Sequence, residues 1–336
     1  MTDLAPESRF VALLCTPLPS DAVASASLPP PLTPKQWHTL QERIHQSTFR
    51  EYAEILEADV PTLTRRLNLL EPEAEQIRNR LDGGDQLNKE IERLDSLGIW
   101  VLAIADDSYP RRLRSNLIAQ APPILFGCGN QEMLDLGGLA VVGPRNAAQS
   151  EIDYADSIGR HCAAEGVQII SGGAKGIDQQ AMTGALEAGG SAVGVLGDSL
   201  EKQAANSEVK YYIDSRHLTL VSPYHPSTFF DVGRAMGRNK IIYALANWAL
   251  VVSCQPETGG TWHGAASALK SQPVPVFVRM DGDISAGNRR LLDRGALEFP
   301  APPWADISAV LEELSAEYRA KKRADSDQPG LFNNSD

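Results

Sequence analysis

Two glycine-rich turns about thirty residues apart constrain this chain more than any other feature: Val141-Val142-Gly143-Pro144-Arg145 and Ile169-Ile170-Ser171-Gly172-Gly173-Ala174-Lys175-Gly176-Ile177-Asp178. Each closes a short apolar run and opens a helix-like pattern. Glycine lets backbone amides approach an anion with no side chain in the way, and a helix start adds roughly half a positive charge there. Arg145 and Lys175 add full charges beside those amides, and Asp178 is expected to order its loop rather than to meet an anion. On neighbouring strands of one parallel sheet, two such turns make a phosphate-binding crevice.

The surrounding pattern supports such a sheet. Near-continuous apolar windows at 99–104, 139–142, 167–170, 192–196, 218–221, 249–253 and 274–278 alternate with helical periodicity at 86–97, 151–164, 177–188, 238–246 and 263–270. That alternation predicts an α/β fold, a Rossmann-like doubly wound and mainly parallel sheet covered on both faces. It spans 86–300. Ahead of it, 1–34 reads as an apolar run at 10–14 followed by a Pro-rich loop. Residues 35–85 read as a small all-helical domain, with Pro34 suited to a first helical turn. Behind it, 301–336 offers one helix at 307–318 and a polar, flexible tail.

Further polar clusters fall where this sheet would end. Arg238-Asn239-Lys240 opens an apolar helix, so its polar trio is expected at the helix start. Thr258-Gly259-Gly260-Thr261-Trp262-His263-Gly264 is another glycine turn, and Asn288 and Arg289 precede Leu291 and Leu292. Gly143, Arg145, Ser171, Gly172, Gly173, Lys175, Gly176, Arg238, Asn239, Lys240, Gly259, Gly260, Thr261, Asn288 and Arg289 form the expected nucleic-acid or phosphate site. Phe229 and Phe230 have two readings, core or stacking on a splayed base. His263 also has two, a helix cap or a base contact.

Charge and composition narrow the possibilities. The net charge of −12 is spread along the chain, so binding to a polyanion would need local clustering of a few cations rather than a basic surface. No apolar run reaches membrane-helix length, and the start lacks a basic signal-peptide front, which predicts a cytoplasmic protein. Cys15, Cys128, Cys162 and Cys254 form no Cys-x-x-Cys pair and the histidines no ligand spacing. Reduced core thiols are expected, with no metal and no cofactor.

Five stations in order resemble the DprA/Smf DNA-processing family: Tyr109-Pro110-Arg111-Arg112-Leu113 with Pro122-Pro123-Ile124-Leu125-Phe126, then Val142-Gly143-Pro144-Arg145, Ser171 through Asp178, Gly237 through Ile242, and Gly287 through Ala296. Pro144 replaces the usual serine and removes one hydroxyl and one amide donor. The resemblance implies binding of single-stranded DNA, protection of incoming or recombining strands, loading of a strand-exchange recombinase, a homodimer, and a sterile-alpha-motif-like N-terminal domain. The related LOG nucleotide hydrolases carry a catalytic glutamate at the position of Gly264, so no catalytic residue and no enzyme activity are expected. Two alternatives stay open: a sensor of a nucleotide or nucleotide-derived signal, in phage defence for example, and a nucleoside-monophosphate phosphoribohydrolase. In the tail, Gln328, Leu331 and Phe332 resemble the peptide by which replication proteins dock on a sliding clamp.

Overall fold

The computed structural model describes residues 4–18 and 28–327. Helices α1 (Pro6–Cys15), α2 (Pro34–Gln46), α3 (Tyr52–Glu57), α4 (Val60–Leu67), α5 (Glu71–Leu81) and α6 (Gly84–Ser96) precede the sheet. The α/β part then runs β1 (Trp100–Ala103), α7 (Arg111–Leu117), a 3-10 turn at Ile118–Gln120, β2 (Ile124–Cys128), α8 (Met133–Leu136), β3 (Leu139–Val142), α9 (Gln149–Ala164), β4 (Ile169–Ser171), α10 (Ile177–Glu187) and β5 (Ala192–Val195). It continues through α11 (Leu200–Ala204), α12 (Ser207–Asp214), β6 (Leu218–Ser222), α13 (Val232–Gly237), α14 (Asn239–Leu245), β7 (Trp248–Val251), α15 (Gly259–Ser271), β8 (Val276–Val278), α16 (Ala286–Leu292), β9 (Leu297–Glu298) and α17 (Ile307–Asp327).

The strands form one sheet in the order β1-β2-β6-β5-β4-β3-β7-β8-β9. Strands β3 to β9 are mutually parallel, whereas β2 runs antiparallel to both β1 and β6. From β3 the chain winds outward through β4, β5 and β6, then returns to the other side of β3 with β7. The order therefore reverses between β3 and β7, where a doubly wound sheet opens its ligand crevice.

Alternation along the strands builds two cores. Leu139, Val141, Ile169 and Leu250 face one side, while Ala140, Val142, Ile170 and Val251 face the other. The first side is continuous with the helical layer through Phe10, Trp37 and Leu94. Arg80 of α5 ties that layer together: it is buried, its Nε donates to the Leu13 carbonyl at 2.9 Å, and its Nη2 donates to the carbonyls of Leu13 and Thr16 at 2.5 Å. It thereby caps the orphan carbonyls at the end of α1.

Several boundaries differ from the sequence reading. The apolar run 10–14 is the middle of helix α1, buried on nearly all sides, so its pattern lacks the polar face by which a helix is read. Strands β2 and β9 and helix α13 were not anticipated, whereas the helix expected over 238–246 is present as α14, Asn239–Leu245. Helix α17 continues to Asp327, beyond the expected stop at 318, so part of the expected flexible tail is helical. Residues Gln328, Leu331 and Phe332 lie outside the described residues. No described helix is long and apolar enough to cross a membrane.

Candidate nucleic-acid interface

The carboxyl ends of β3 and β7 open into a crevice of about 440 Å³. Gly143 and Arg145 come from the turn after β3, Ala174 and Asp178 from the turn after β4, Arg238 and Asn239 from the α13–α14 junction, and Gly259, Gly260 and Thr261 from the first turn of α15. Four separate segments thus converge at the switch point. Helix α15 begins there with Thr258 as a cap residue whose side chain makes no capping bond. Its first amides and its positive dipole end are directed at the cleft.

Asp178 holds the two glycine turns together. Buried in the first turn of α10, its Oδ1 accepts from the Gly143 amide at 3.3 Å and its Oδ2 from the Gly172 amide at 3.2 Å. Burial pushes the carboxyl pKa up, opposed by the charge of Arg238 and by these two amides. Arg238 is buried beside it and donates from Nη2 to the Gly172 carbonyl at 2.8 Å. A Cβ on Gly172 would stand 1.8 Å from Arg238 Nη1, so only glycine permits this approach. Gly176, at φ +87°, occupies the left-handed region, and a Cβ there would lie 2.5 Å from the Pro144 carbonyl oxygen.

Several polar groups expected to meet a ligand are instead used to build the rim. Ser171 Oγ donates to the Val141 carbonyl at 2.6 Å, Thr261 Oγ1 to the Gly143 carbonyl at 2.9 Å, and Asn239 Nδ2 to the Gly260 carbonyl at 3.1 Å. Asn288 is buried, and its Nδ2 serves the carbonyls of Val251, Val252 and Arg279 at 3.3, 3.0 and 2.9 Å. It fixes the loop after β7 instead of joining the rim. Arg289 is exposed on α16 and does not line the crevice. Gly173, Lys175 and Gly176 belong to the turn beside the crevice, with Lys175 exposed, and of the segment 173–178 only Ala174 and Asp178 line it. Lys240 faces a neighbouring groove.

Two cations remain available. Among the described residues, Nε and Nη1 of Arg238 are buried without a hydrogen-bond partner, an arrangement that an anion in the crevice would satisfy. The Arg145 side chain is exposed, and its guanidinium lies over the Phe230 ring at 4.6 Å. Phe230 is 49% exposed and Phe229 84%, which excludes the core reading of this pair. Val232 and Met236, also exposed, extend the apolar rim of the same cleft.

The sequence reading missed Asn146, Gln255, Val232 and Met236 as lining residues. Gln255 could have been found, since it follows the carboxyl end of β7. Val232 and Met236 carry no signal apart from their tertiary position. His263 lies in the body of α15, exposed, and does not cap it. Glu257, at φ +59°, turns outward to pair with Arg294 at 3.7 Å, away from the crevice lining. The four cysteines are buried, and no cluster of three metal-ligating side chains occurs among the described residues.

The sequence profile of the DNA recombination-mediator protein A family matches residues 100–313, which contain every segment of this crevice. The chain belongs to that family. The DNA processing protein DprA of Streptococcus pneumoniae is 33% identical over 175 residues, 52% of this chain and 59% of that protein. The Bacillus subtilis DprA is 27% identical over 230 residues, 66% of this chain and 74% of its own. This chain thus aligns with less than two thirds of the pneumococcal relative. Among solved structures, the X-ray structure of the S. pneumoniae DprA superposes with a TM-score of 0.61 at 23% identity, covering 84% of this chain and 98% of that one. A Helicobacter pylori DprA, whose structural study concerns its single-stranded DNA binding mode, gives a TM-score of 0.52 at 22% identity, covering 65% and 96%. The two structures share this fold, and the family relatives are DNA-processing proteins.

Proposed function

We propose that this chain binds single-stranded DNA without sequence preference and without cleaving it, protecting incoming or recombining strands and promoting recombinase loading. One observation carries the reading: two arginines, the amides of a helix start and the exposed Phe230, with exposed Phe229 next to it in sequence, meet at one switch-point crevice. In a family of DNA-processing proteins, that set suits a phosphate held by Arg145 and Arg238, with a base stacked on Phe229 or Phe230. Asp178 is the one carboxylate among the described lining residues, and its two oxygens already accept amides. Binding without hydrolysis is supported at Gly264, which offers no carboxylate and where a Cβ would lie 3.3 Å from Tyr243 and 3.4 Å from Asn239. A recombinase partner, a homodimer, clamp docking by the tail and a cytoplasmic setting belong to the same reading.

The test is binding of a fluorescent oligonucleotide at several salt concentrations. Each phosphate neutralised contributes about −0.7 to the slope of log affinity against log salt. Arg145→Ala is expected to lower affinity and flatten that slope by about this amount, and Lys175→Ala to do so where the strand passes the exposed turn. Correctly folded variants with unchanged affinity and slope would contradict the assignment. A second reading, a nucleotide sensor, is favoured by the crevice volume, which falls in the range of about 300–1,000 Å³ usual for small-molecule sites. Calorimetry with a nucleotide panel separates the two, because tight mononucleotide binding without oligonucleotide binding would select the sensor.

A further inference from the structure

Across a saddle formed by Met236, Asn239 and Gly260, the crevice continues into a second groove of about 740 Å³. Its polar lining includes Lys240, His263, Gln120 and Ser267, and it has no aspartate or glutamate among its described residues. Lys240 therefore faces this groove with no described carboxylate opposite it. Lys240 is half-buried there. Among the described residues its ammonium has no ion pair or hydrogen bond, and burial alone pushes its pKa down. A half-buried cation with no counter-charge is partly desolvated, a cost that a bound anion would offset. At the mouth stands Ile118, 70% exposed and at φ +48°, a conformation that β-branched residues rarely adopt.

We infer that this groove is a second subsite for the same DNA strand, in which Lys240 takes the phosphate of a nucleotide beyond the one seated in the crevice. Continuity selects the occupant: a strand leaving the crevice over Gly260 enters the groove without crossing an acidic surface. His263 and the Gln120 amide are placed to add donors, and Ile118 offers an apolar contact to a sugar or base. The inference rests on the proposed single-strand reading, and it extends the binding site to a footprint of more than one nucleotide.

The experiment measures affinity and salt slope for oligothymidylates of graded length, from about 4 to about 16 nucleotides, the span of single-strand site sizes. Wild type, Arg145→Ala, Lys240→Met and Lys240→Arg are compared. Arg145→Ala should weaken every length. Lys240→Met should lose about tenfold, the equivalent of one charge-assisted hydrogen bond, and about 0.7 of salt slope, only for strands long enough to reach the groove. Lys240→Arg should restore most of both. If Lys240→Met matches wild type at all lengths, or weakens all lengths equally, the second subsite is refuted while the Arg145 result still supports the crevice. If wild type binds no oligothymidylate, both the inference and the reading beneath it fail.

Discussion

Asp178 joins two glycine turns that are far apart in sequence, and its replacement should be felt as folding before it is felt as binding. Asp178→Ala leaves the buried amide of Gly172 and the half-buried amide of Gly143 without acceptors and Arg238 without its nearby counter-charge. At about 1–3 kcal/mol for each unsatisfied buried group, a drop of several kcal/mol is expected in urea denaturation. Phe229→Ala is expected to behave in the opposite way. With the ring 84% exposed, its loss should leave the melting temperature unchanged while costing about 1–3 kcal/mol of oligonucleotide affinity, the value of one base stacked on an aromatic ring. Fluorescence titration beside a thermal melt reads both. The placement of the glycine turns, of Arg145 beside the crevice and of Asp178 across the two turns was legible because it follows from backbone conformation and local spacing. The tasks of Asn288 and Thr261 were not, because whether an amide or hydroxyl meets a ligand or a carbonyl is decided by which distant strand lies opposite.

A clasp between α6 and the loop after β6 connects the helical layer to the segment that carries the phenylalanine pair. Glu90 is buried, accepts from Arg93 at 2.7 Å and lies 3.0 Å from His225 Nε2, while His225 Nδ1 is 2.8 Å from Ser227 Oγ. Burial alone would raise the Glu90 carboxyl pKa, but bonds and charge from Arg93 and His225 outweigh it and hold it below the ordinary value. The stabilisation is therefore present above the unfolded pKa of about 4.3 and lost as pH falls through the lower native value. Thermal melts over an acid pH series should show Glu90→Gln less stable than wild type near neutrality, with the gap closing as the wild-type carboxyl protonates. A constant gap across the series would contradict this account. Elements with a clear period were legible in the sequence. Helix α1 has no polar face and β2 follows two prolines, so neither announced itself. The start of α14 was legible at Arg238, but the inward turn of that side chain was not, because it is set by Gly172, a partner 66 residues away.

At the scale of the molecule, the doubly wound order β6-β5-β4-β3-β7-β8-β9 places four polar turns at one edge, and the reversal between β3 and β7 leaves the gap they surround. This part of the architecture was legible from the alternation of apolar runs with helical segments. An acidic chain can hold a polyanion in such a gap because its lining carboxylate is already occupied and its cations lie next to amides. A few phosphates, not a broad basic face, should carry the affinity, so the salt slope should be only about −0.7 for each and should respond to single substitutions. A crevice that also stacks a base should reject duplex DNA, whose bases are paired and stacked away from any side chain. The most direct measurement is therefore a gel-shift comparison of single-stranded and double-stranded DNA of equal length. The account predicts that wild type retards the single strand at concentrations that leave the duplex free, and that Arg145→Ala loses this retardation. Equal retardation of both forms, or an unretarded single strand, would contradict it.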